Sequence, residues 1–369
     1  MKRFSSSLGE YTLSRYPKTQ DNTLQAWDAA DEYLLNEISQ QQWHQDKNHI
    51  LVVNDSFGAL SVILSQYTQV THWHDSLLAQ IACQKNAQHN NTEHPLQYCA
   101  STEIPAPDID LVIIKPPKNL RLLKHQLQIL NQHFANIPVV IGMMQKHITS
   151  GLKSLVEHFI DNPEPSRAVK KARLVSGQLL NHAIYEDDYH YFEVDDLIIA
   201  NQPNVFSSES LDIGSRFLLE HFPDLAHCKQ VFDLGCGNGV LSAVAAYKNP
   251  NVAVLGVDES YMAVASAQQT FLMNQLNTGT FRVNNALSNI EQKADAILCN
   301  PPFHQQRQVS TGIAHQMIRQ SKQCLTQGGQ LWIVANRHLG YHTLMKKTFG
   351  NLEVAQANSK FVILQSIHH

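Results

Sequence analysis

A chain of 369 residues is long for one domain and accommodates two. Its apolar fraction of 43% suffices for buried cores, and its charged fraction of only 16% excludes a mainly disordered chain. The formal net charge of −4 excludes a uniformly basic nucleic-acid coat, although local patches can still meet RNA. No apolar h-region follows Met1-Lys2-Arg3, so no secretory signal is read. No run approaches the ~20 apolar residues of a bilayer span. Cys83, Cys99, Cys228, Cys236, Cys299 and Cys324 are scattered with no Cys-x-x-Cys pair, which fits free thiols in a reducing cytoplasm. His72 and His74, and the terminal His368-His369, have no Cys or carboxylate cluster at ligand spacing, so no metal is expected.

In chain order, Ile50–Val53 reads as a buried strand, followed by Asn54-Asp55-Ser56-Phe57-Gly58 and an apolar helix over 59–67. Leu111–Ile114 is a second strand, ending in Lys115-Pro116-Pro117-Lys118, and Pro138–Gly142 a third. Asn162-Pro163-Glu164-Pro165 breaks any helix, and 172–180 and 189–200 are candidate strands of a small antiparallel element. In the second half the strands are 231–234, 252–257, 280–283, 294–299 and 330–335, with helices over 261–274 and 314–325 between them. Phe361–Leu364 closes the chain as an antiparallel strand. This βαβ rhythm predicts open α/β sheets.

The halves read as an internal repeat. With Gly58 laid on Gly239, Leu60 falls on Leu241. Asp75 follows its glycine by 17 residues where Asp258 follows by 19, and Pro116 follows by 58 where Pro301 follows by 62. The expected domains are 1–185 and 186–369.

Val231–Leu234 runs into Gly235-Cys236-Gly237-Asn238-Gly239, a strand entering a glycine-rich turn and then a helix. The glycines permit a tight turn and close backbone approach to a ligand. The pattern Asp233-x-Gly-x-Gly-x-Gly departs from the G-x-G-x-x-G of dinucleotide enzymes and fits S-adenosylmethionine better, since an acid there can meet its cationic amino end. Asp258, with Glu259 beside it, ends the next strand, where a carboxylate can accept from ribose hydroxyls. Asn285-Ala286 ends the third, within reach of an adenine amino group.

Asn300-Pro301-Pro302-Phe303 follows the fourth strand. The prolines fix the backbone and remove two donors. An exocyclic amine is a weak nucleophile, and two acceptors, the Asn300 side-chain oxygen and the Pro301 carbonyl, can hold its hydrogens and orient it. Phe303 offers a flat face for a planar base. His304 is a candidate proton acceptor.

These motifs resemble the amino-directed methyltransferases. More narrowly, the duplicated layout with Asn300–His304 is similar to the tandem-domain bacterial rRNA guanine-N2 methyltransferases, and among them to the 23S branch. The resemblance extends through 24–35, Asn204-Val205-Phe206-Ser207, Leu211-Asp212-Ile213-Gly214, Val257–Ser260 and Val334–His338. It implies two tandem Rossmann-like class I methyltransferase domains, the first degenerate, with S-adenosylmethionine as cofactor. The cofactor would be lined by Asp233, Gly235, Cys236, Gly237, Gly239, Asp258, Glu259, Asn285, Ala286 and Asn300, with Asn300 to Phe303 handling the base. The implied partner is 23S rRNA, naked or in a large-subunit precursor, in the cytoplasm.

In the first half, lysine stands at Lys115 where Asn300 stands in the second. Lysine only donates, so it cannot accept an amine's hydrogens. That half is expected to bind no cofactor. From Leu111 to Val156 there is no Asp or Glu. Lys115, Lys118, Arg121 and Lys124, with Arg167, Lys170, Lys171 and Arg173, suit phosphate contact. The alternatives at this point are a 16S enzyme, a methyltransferase for protein glutamine or DNA adenine, and a non-enzymatic assembly factor.

Overall fold

The computed structural model describes residues 1–19, 21–181, 189–207, 209–301 and 307–369. The chain divides into two compact units, Met1–Asp188 and Tyr189–His369. The expected join near residue 185 lies outside the described residues.

The first unit opens on a hairpin, Lys2–Ser6 with Gly9–Leu13, and a helix, α1 (Ala29–Gln40). Its sheet contains β1 (His49–Val53), β2 (Gln69–His74), β3 (Leu96–Ala100), β4 (Leu111–Ile114), β5 (Pro138–Met144), β6 (Ile160–Pro165) and β7 (Ala172–Leu179). Their order across the sheet is β3-β2-β1-β4-β5-β7-β6, with β1 to β5 parallel and the last two antiparallel. The helices packed with it include α2 (Ala59–Leu64), α3 (Leu77–Asn90), α4 (Leu120–His133) and α5 (Ser150–Phe159). Every residue of β1 and β4 is buried. A parallel strand covered on both faces requires a continuous apolar run, which His49-Ile-Leu-Val-Val and Leu111-Val-Ile-Ile nearly supply. Pro163 and Pro165 lie in the outermost strand, where a missing donor interrupts no ladder.

The second unit repeats the plan. A hairpin, His190–Val194 with Leu197–Asn201, leads to α6 (Ile213–Glu220). The sheet holds β8 (Gln230–Leu234), β9 (Ala253–Asp258), β10 (Gly279–Val283), β11 (Ala294–Cys299), β12 (Leu325–Asn336), β13 (Glu353–Ala357) and β14 (Phe361–Ile367). Its order is β10-β9-β8-β11-β12-β14-β13, again with the last two antiparallel. The helices are α7 (Val240–Lys248), α8 (Tyr261–Met273), α9 (Arg307–Cys324) and α10 (Tyr341–Phe349). Two seven-stranded sheets of one order are the duplicated α/β fold expected from the motif spacing and the tandem class I methyltransferase domains that the resemblance implies.

One expectation is corrected. The segments 172–180 and 189–200 form no joint element. Ala172–Leu179 pairs with Pro138–Met144 inside the first sheet. The second segment folds on itself around Asp195, at φ 50. Each hairpin is instead clipped to a helix of its own unit by a reciprocal asparagine. Asn90 accepts from Thr12 N at 2.9 Å and donates to Thr12 O at 3.0 Å. Asn274 does the same with Ile198, at 2.9 and 2.7 Å. Burying these backbone groups without a partner would be costly.

Among the described residues no helix is long and apolar enough to cross a membrane, and no cluster of His, Cys, Asp or Glu is placed to hold a metal ion. All six cysteines are free thiols.

Candidate active site

In the second unit the buried strand β8 runs into the glycine loop. Gly235, Gly237 and Gly239 all take positive φ, at 78°, 53° and 77°, a region that side chains disfavour. Gly239 also abuts α8, since a Cβ there would lie 2.8 Å from that of Ala267. Over Gly237 a Cβ would meet nothing within 4 Å, so this side of the loop is open to a ligand. The loop is pinned from β9. Gly235 N and Cys236 N donate to Val257 O at 2.8 and 3.0 Å. Gly237 N donates to Asp258 Oδ2 and Ser260 N to Asp258 Oδ1, both at 3.0 Å. Asp258 therefore stands half-buried at the loop's edge, oriented by two backbone donors, with Glu259 half-buried beside it.

Asp233 takes a different position from the one its motif suggests. It is fully buried. Its Oδ2 accepts from Ser242 N at 3.1 Å and Ser242 Oγ at 2.7 Å, bracing the first turn of α7. Oδ1 has no partner among the described residues. Burial, against the Ser242 hydrogen bonds, pushes its carboxyl up to about 7. Asp233 thus shapes the loop from beneath rather than presenting an open carboxylate to a ligand. Cys236 is buried too, and burial, with Asp258 and Asp233 nearby, raises its thiol well above the usual range. Its sulfur is buried, and its backbone nitrogen is tied to Val257 O in the loop.

At the end of β10, Asn284 N donates to Asp258 O at 2.8 Å, joining the third strand's exit to the Asp258 corner. Asn285 Oδ1 accepts from Gln316 Nε2 of α9 at 3.0 Å. Ala286 adopts φ 48, and its carbonyl accepts from Asn284 Nδ2 at 3.0 Å.

Asn300 leaves β11 directly beside this loop. A Cβ on Gly235 would lie 4.0 Å from the Asn300 carbonyl oxygen. The Asn300 amide nitrogen donates to Asp212 Oδ2 at 3.0 Å and Ser215 Oγ at 2.8 Å. Because an ionised carboxylate only accepts, Asp212 dictates which end of the amide faces it. The opposite end, Oδ1, is buried and has no partner among the described residues. Leaving a buried acceptor unmade costs about 1–3 kcal/mol, so such an atom demands an explanation. An incoming amine hydrogen supplies one. Asp212 is also the N-cap of α6, accepting from Ser215 N at 3.0 Å. Gly214 leaves room for the arrangement: a Cβ there would meet Asp212 Oδ2 at 3.0 Å and Asn300 Oδ1 at 3.4 Å. Sequence reasoning assigned no role to Asp212 or Ser215. The available signal was an Asp-x-x-Ser start ahead of the apolar helix 213–220. Pro301 is buried; Pro302, Phe303 and His304 lie outside the described residues.

The first unit fills the corresponding positions. Asp55 accepts from the backbone of Gly58, Ala59, Leu60 and Ser61 at 2.9–3.0 Å, and from Ser61 Oγ at 3.0 Å. The helix start that could have received an anion is closed by the chain's own carboxylate. Lys115, on the strand matching β11, is 17% exposed and donates to Asp28 Oδ1 at 2.9 Å and Asp31 Oδ1 at 2.7 Å. Burial opposes its charge, but Asp31 and Asp28 more than offset that and hold its pKa above the ordinary value. The expectation that Lys115 meets phosphate is therefore corrected, because its charge is consumed inside the fold. Of the other basic candidates, Lys118, Arg167, Lys170 and Lys171 are exposed, while Arg121, Lys124 and Arg173 are half-buried. Lys170 pairs with Glu32 at 2.7 Å. Gln145 N donates to Lys171 O at 2.8 Å, which brings the loop carrying Lys146 against the turn carrying Lys170 and Lys171.

Comparison with known proteins now bears on this pair of sites. Residues 196–365 match the family model of the methyltransferase small domain, and residues 1–181 that of the RLMG N-terminal domain. Over 364 residues the chain is 40% identical to the ribosomal RNA large subunit methyltransferase G of Vibrio parahaemolyticus, covering 96% of this chain and 94% of that protein. The chain belongs to the ribosomal RNA large subunit methyltransferase G family. The members from Stutzerimonas stutzeri, at 41% identity with 96% of each chain covered, and Pseudomonas aeruginosa PAO1, at 39% with 99% and 100% covered, share the family's full length. The T. thermophilus 16S rRNA N2 methyltransferase, solved with AdoMet and guanosine, aligns over 100% of this chain and 98% of its own, with TM-score 0.79 and 18% identity. That likeness establishes the shared fold.

Proposed function

We propose that this chain transfers a methyl group from S-adenosylmethionine to the exocyclic 2-amino group of a guanine in 23S rRNA, in the cytoplasm, on naked RNA or a large-subunit precursor. The observation that carries the reading is the Asn300 amide, with its donor end occupied and its buried acceptor without a partner among the described residues, beside the glycine loop. The full-length relatives and the match of residues 1–181 support the large-subunit RNA over the small.

The residues fit the cofactor: an open Gly237, an oriented Asp258, and the Asn285-Ala286 corner joined to it. Bound there, S-adenosylmethionine supplies an electrophilic methyl carbon on a sulfonium. Asp258 accepts from ribose hydroxyls, and Asn285 stands toward the adenine. Asn300 Oδ1 and the Pro301 carbonyl accept the two hydrogens of the guanine amine. Held so, the amine nitrogen would be made more electron-rich by its two acceptors, which would also stabilise the positive charge developing there as the N–C bond forms and the methyl's bond to sulfur breaks, releasing S-adenosylhomocysteine. The proton released from nitrogen passes to solvent. In the first unit, Lys118, Arg121, Lys124, Arg167, Lys170, Lys171 and Arg173 steer RNA phosphates.

Mass mapping of both rRNAs from cells with and without the gene tests the reading. A single methyl missing from one guanine of the 23S RNA is expected. A missing methyl in the 16S RNA, or none at all, rejects it.

A further inference from the structure

The role of Asn300 as an acceptor depends on which way its amide faces, and nothing in asparagine itself decides that. The two ends are nearly equal in shape, and one donates while the other accepts. We propose that Asp212 and Ser215 are positioning residues that lock the Asn300 oxygen toward the substrate amine and so restrict the site to amino groups. The inference rests on the reading of Asn300 given above. It assigns a second role to a helix start that otherwise only needs capping.

Asp212 Oδ2 receives two donors at once, Ser215 N and Asn300 Nδ2, each at 3.0 Å. Ser215 Oγ receives the second hydrogen of the same amide at 2.8 Å. Both amide hydrogens are thereby used, and turning the amide over would place its oxygen against a carboxylate. Ser215 is 7% exposed and Gly214 admits no side chain without crowding Asp212, so three positions of one helix start shape the clamp. The first unit has the same frame with different chemistry. There the N-cap Asp28 and the third helical residue Asp31 hold Lys115. The sequence separations are 87 and 84 in the first unit against 88 and 85 in the second. A carboxylate at the helix cap, reaching to the residue that leaves the fourth strand, is thus built into both units. Only with asparagine at that exit does it create an aimed acceptor.

The test uses the full-length chain. Asp212→Ala removes the oxygen that accepts from Asn300 Nδ2 and weakens the cap of α6, so its stability is measured alongside. Asp212→Asn, whose oxygen can still accept from both Ser215 N and Asn300, is the conservative rescue. Turnover of Asp212→Ala should fall about 10- to 100-fold, less than the roughly 100- to 1000-fold that outright removal of an oriented contact costs, with the KM for RNA and the affinity for S-adenosylmethionine unchanged. Ser215→Ala should lose about 10-fold in kcat on the same grounds. The decisive variant is an exchange. Asn300→Asp alone opposes two carboxylates, whereas Asp212→Asn with Asn300→Asp restores a donor facing an acceptor. The double variant should recover at least about 10-fold over Asn300→Asp. A role limited to capping predicts no such recovery. Equal turnover of Asp212→Ala, Ser215→Ala and the parent, or an exchange no better than Asn300→Asp, overturns the proposal. NMR of the Asn300 side-chain amide provides a readout that needs no RNA. A downfield pair that moves in Asp212→Ala upholds the clamp even where parent protein methylates no ribosomal RNA, while a pair that does not move rejects it.

Discussion

Lys115 and Asn300 occupy the same place in two copies of one fold, each at the exit of the fourth strand and each held by the N-terminal turn of the helix that precedes the sheet. In the first unit the held group is a cation, and both sides of the contact are satisfied when it forms. In the second the held group is an amide, and satisfying one end leaves the other exposed to demand. The difference teaches that one frame can hold two kinds of group without a change of fold. Two side chains separate the pairs: lysine against asparagine at the strand exit, and aspartate against serine at the third helical position. The glycine loops tell the same story: Asp55 caps the helix start from within the loop, whereas Asp233 reaches Ser242 from the strand below and leaves the loop open at Gly237.

The largest effect expected from breaking this comparison is at Asn300. Asn300→Ala should lower kcat about 1000-fold or more, while calorimetry finds S-adenosylmethionine affinity within a few-fold of the parent. Unchanged turnover would remove Asn300 from catalysis. In the first unit, Lys115→Ala should instead cost stability, about 3–5 kcal/mol, by stranding two carboxylates. Asp31 is buried, and burial, partly opposed by Lys115, raises its carboxyl to about 6. A buried acid left alone is neutralised more easily, so the loss should shrink on acidification. Denaturant melts at pH 5 and pH 8 that show an equal deficit contradict the buried pair.

Asp233 offers an intermediate effect. Its folded pKa of about 7 lies above the unfolded value near 4. The folded state then holds the proton over that window, and stability declines as pH rises from about 4 to about 7 before levelling. Asp233→Asn should flatten the profile, with a gain at pH 8 of roughly 1–4 kcal/mol; parallel profiles for both proteins speak against a protonated brace. Next in size, Asp258→Ala should weaken S-adenosylmethionine binding about 10-fold or more through its loss of charged hydrogen bonds. Smallest is charge reversal at Lys118 and Arg121, which should weaken RNA binding and reduce its salt slope by about one per lost phosphate contact. Superimposable salt titrations would place the RNA elsewhere.

Much of this was legible before folding. The buried runs 50–53, 111–114, 231–234 and 294–299 announced central parallel strands, because strands covered on both faces tolerate few polar residues. The edge strands Ile160–Pro165 and Glu353–Ala357 carried no such signal, since most of their residues face solvent. The hairpins were blurred for a related reason: they are held by side chains distant in sequence, such as Asn90 and Asn274, and no periodicity records that.

By itself the sequence determined the duplication and the matched spacing of its landmarks, because spacing and side-chain type are local properties. It also determined that lysine could not do the work of asparagine, since that is a matter of donors and acceptors alone. Only the tertiary structure decided what each residue does with its capacity. It turned Lys115 inward to two carboxylates, sank Asp233 beneath the loop, and brought Asp212 across 88 positions of sequence to orient Asn300. The physical reason is that a hydrogen bond's partner is chosen by proximity in space, and burial then makes that choice costly to reverse.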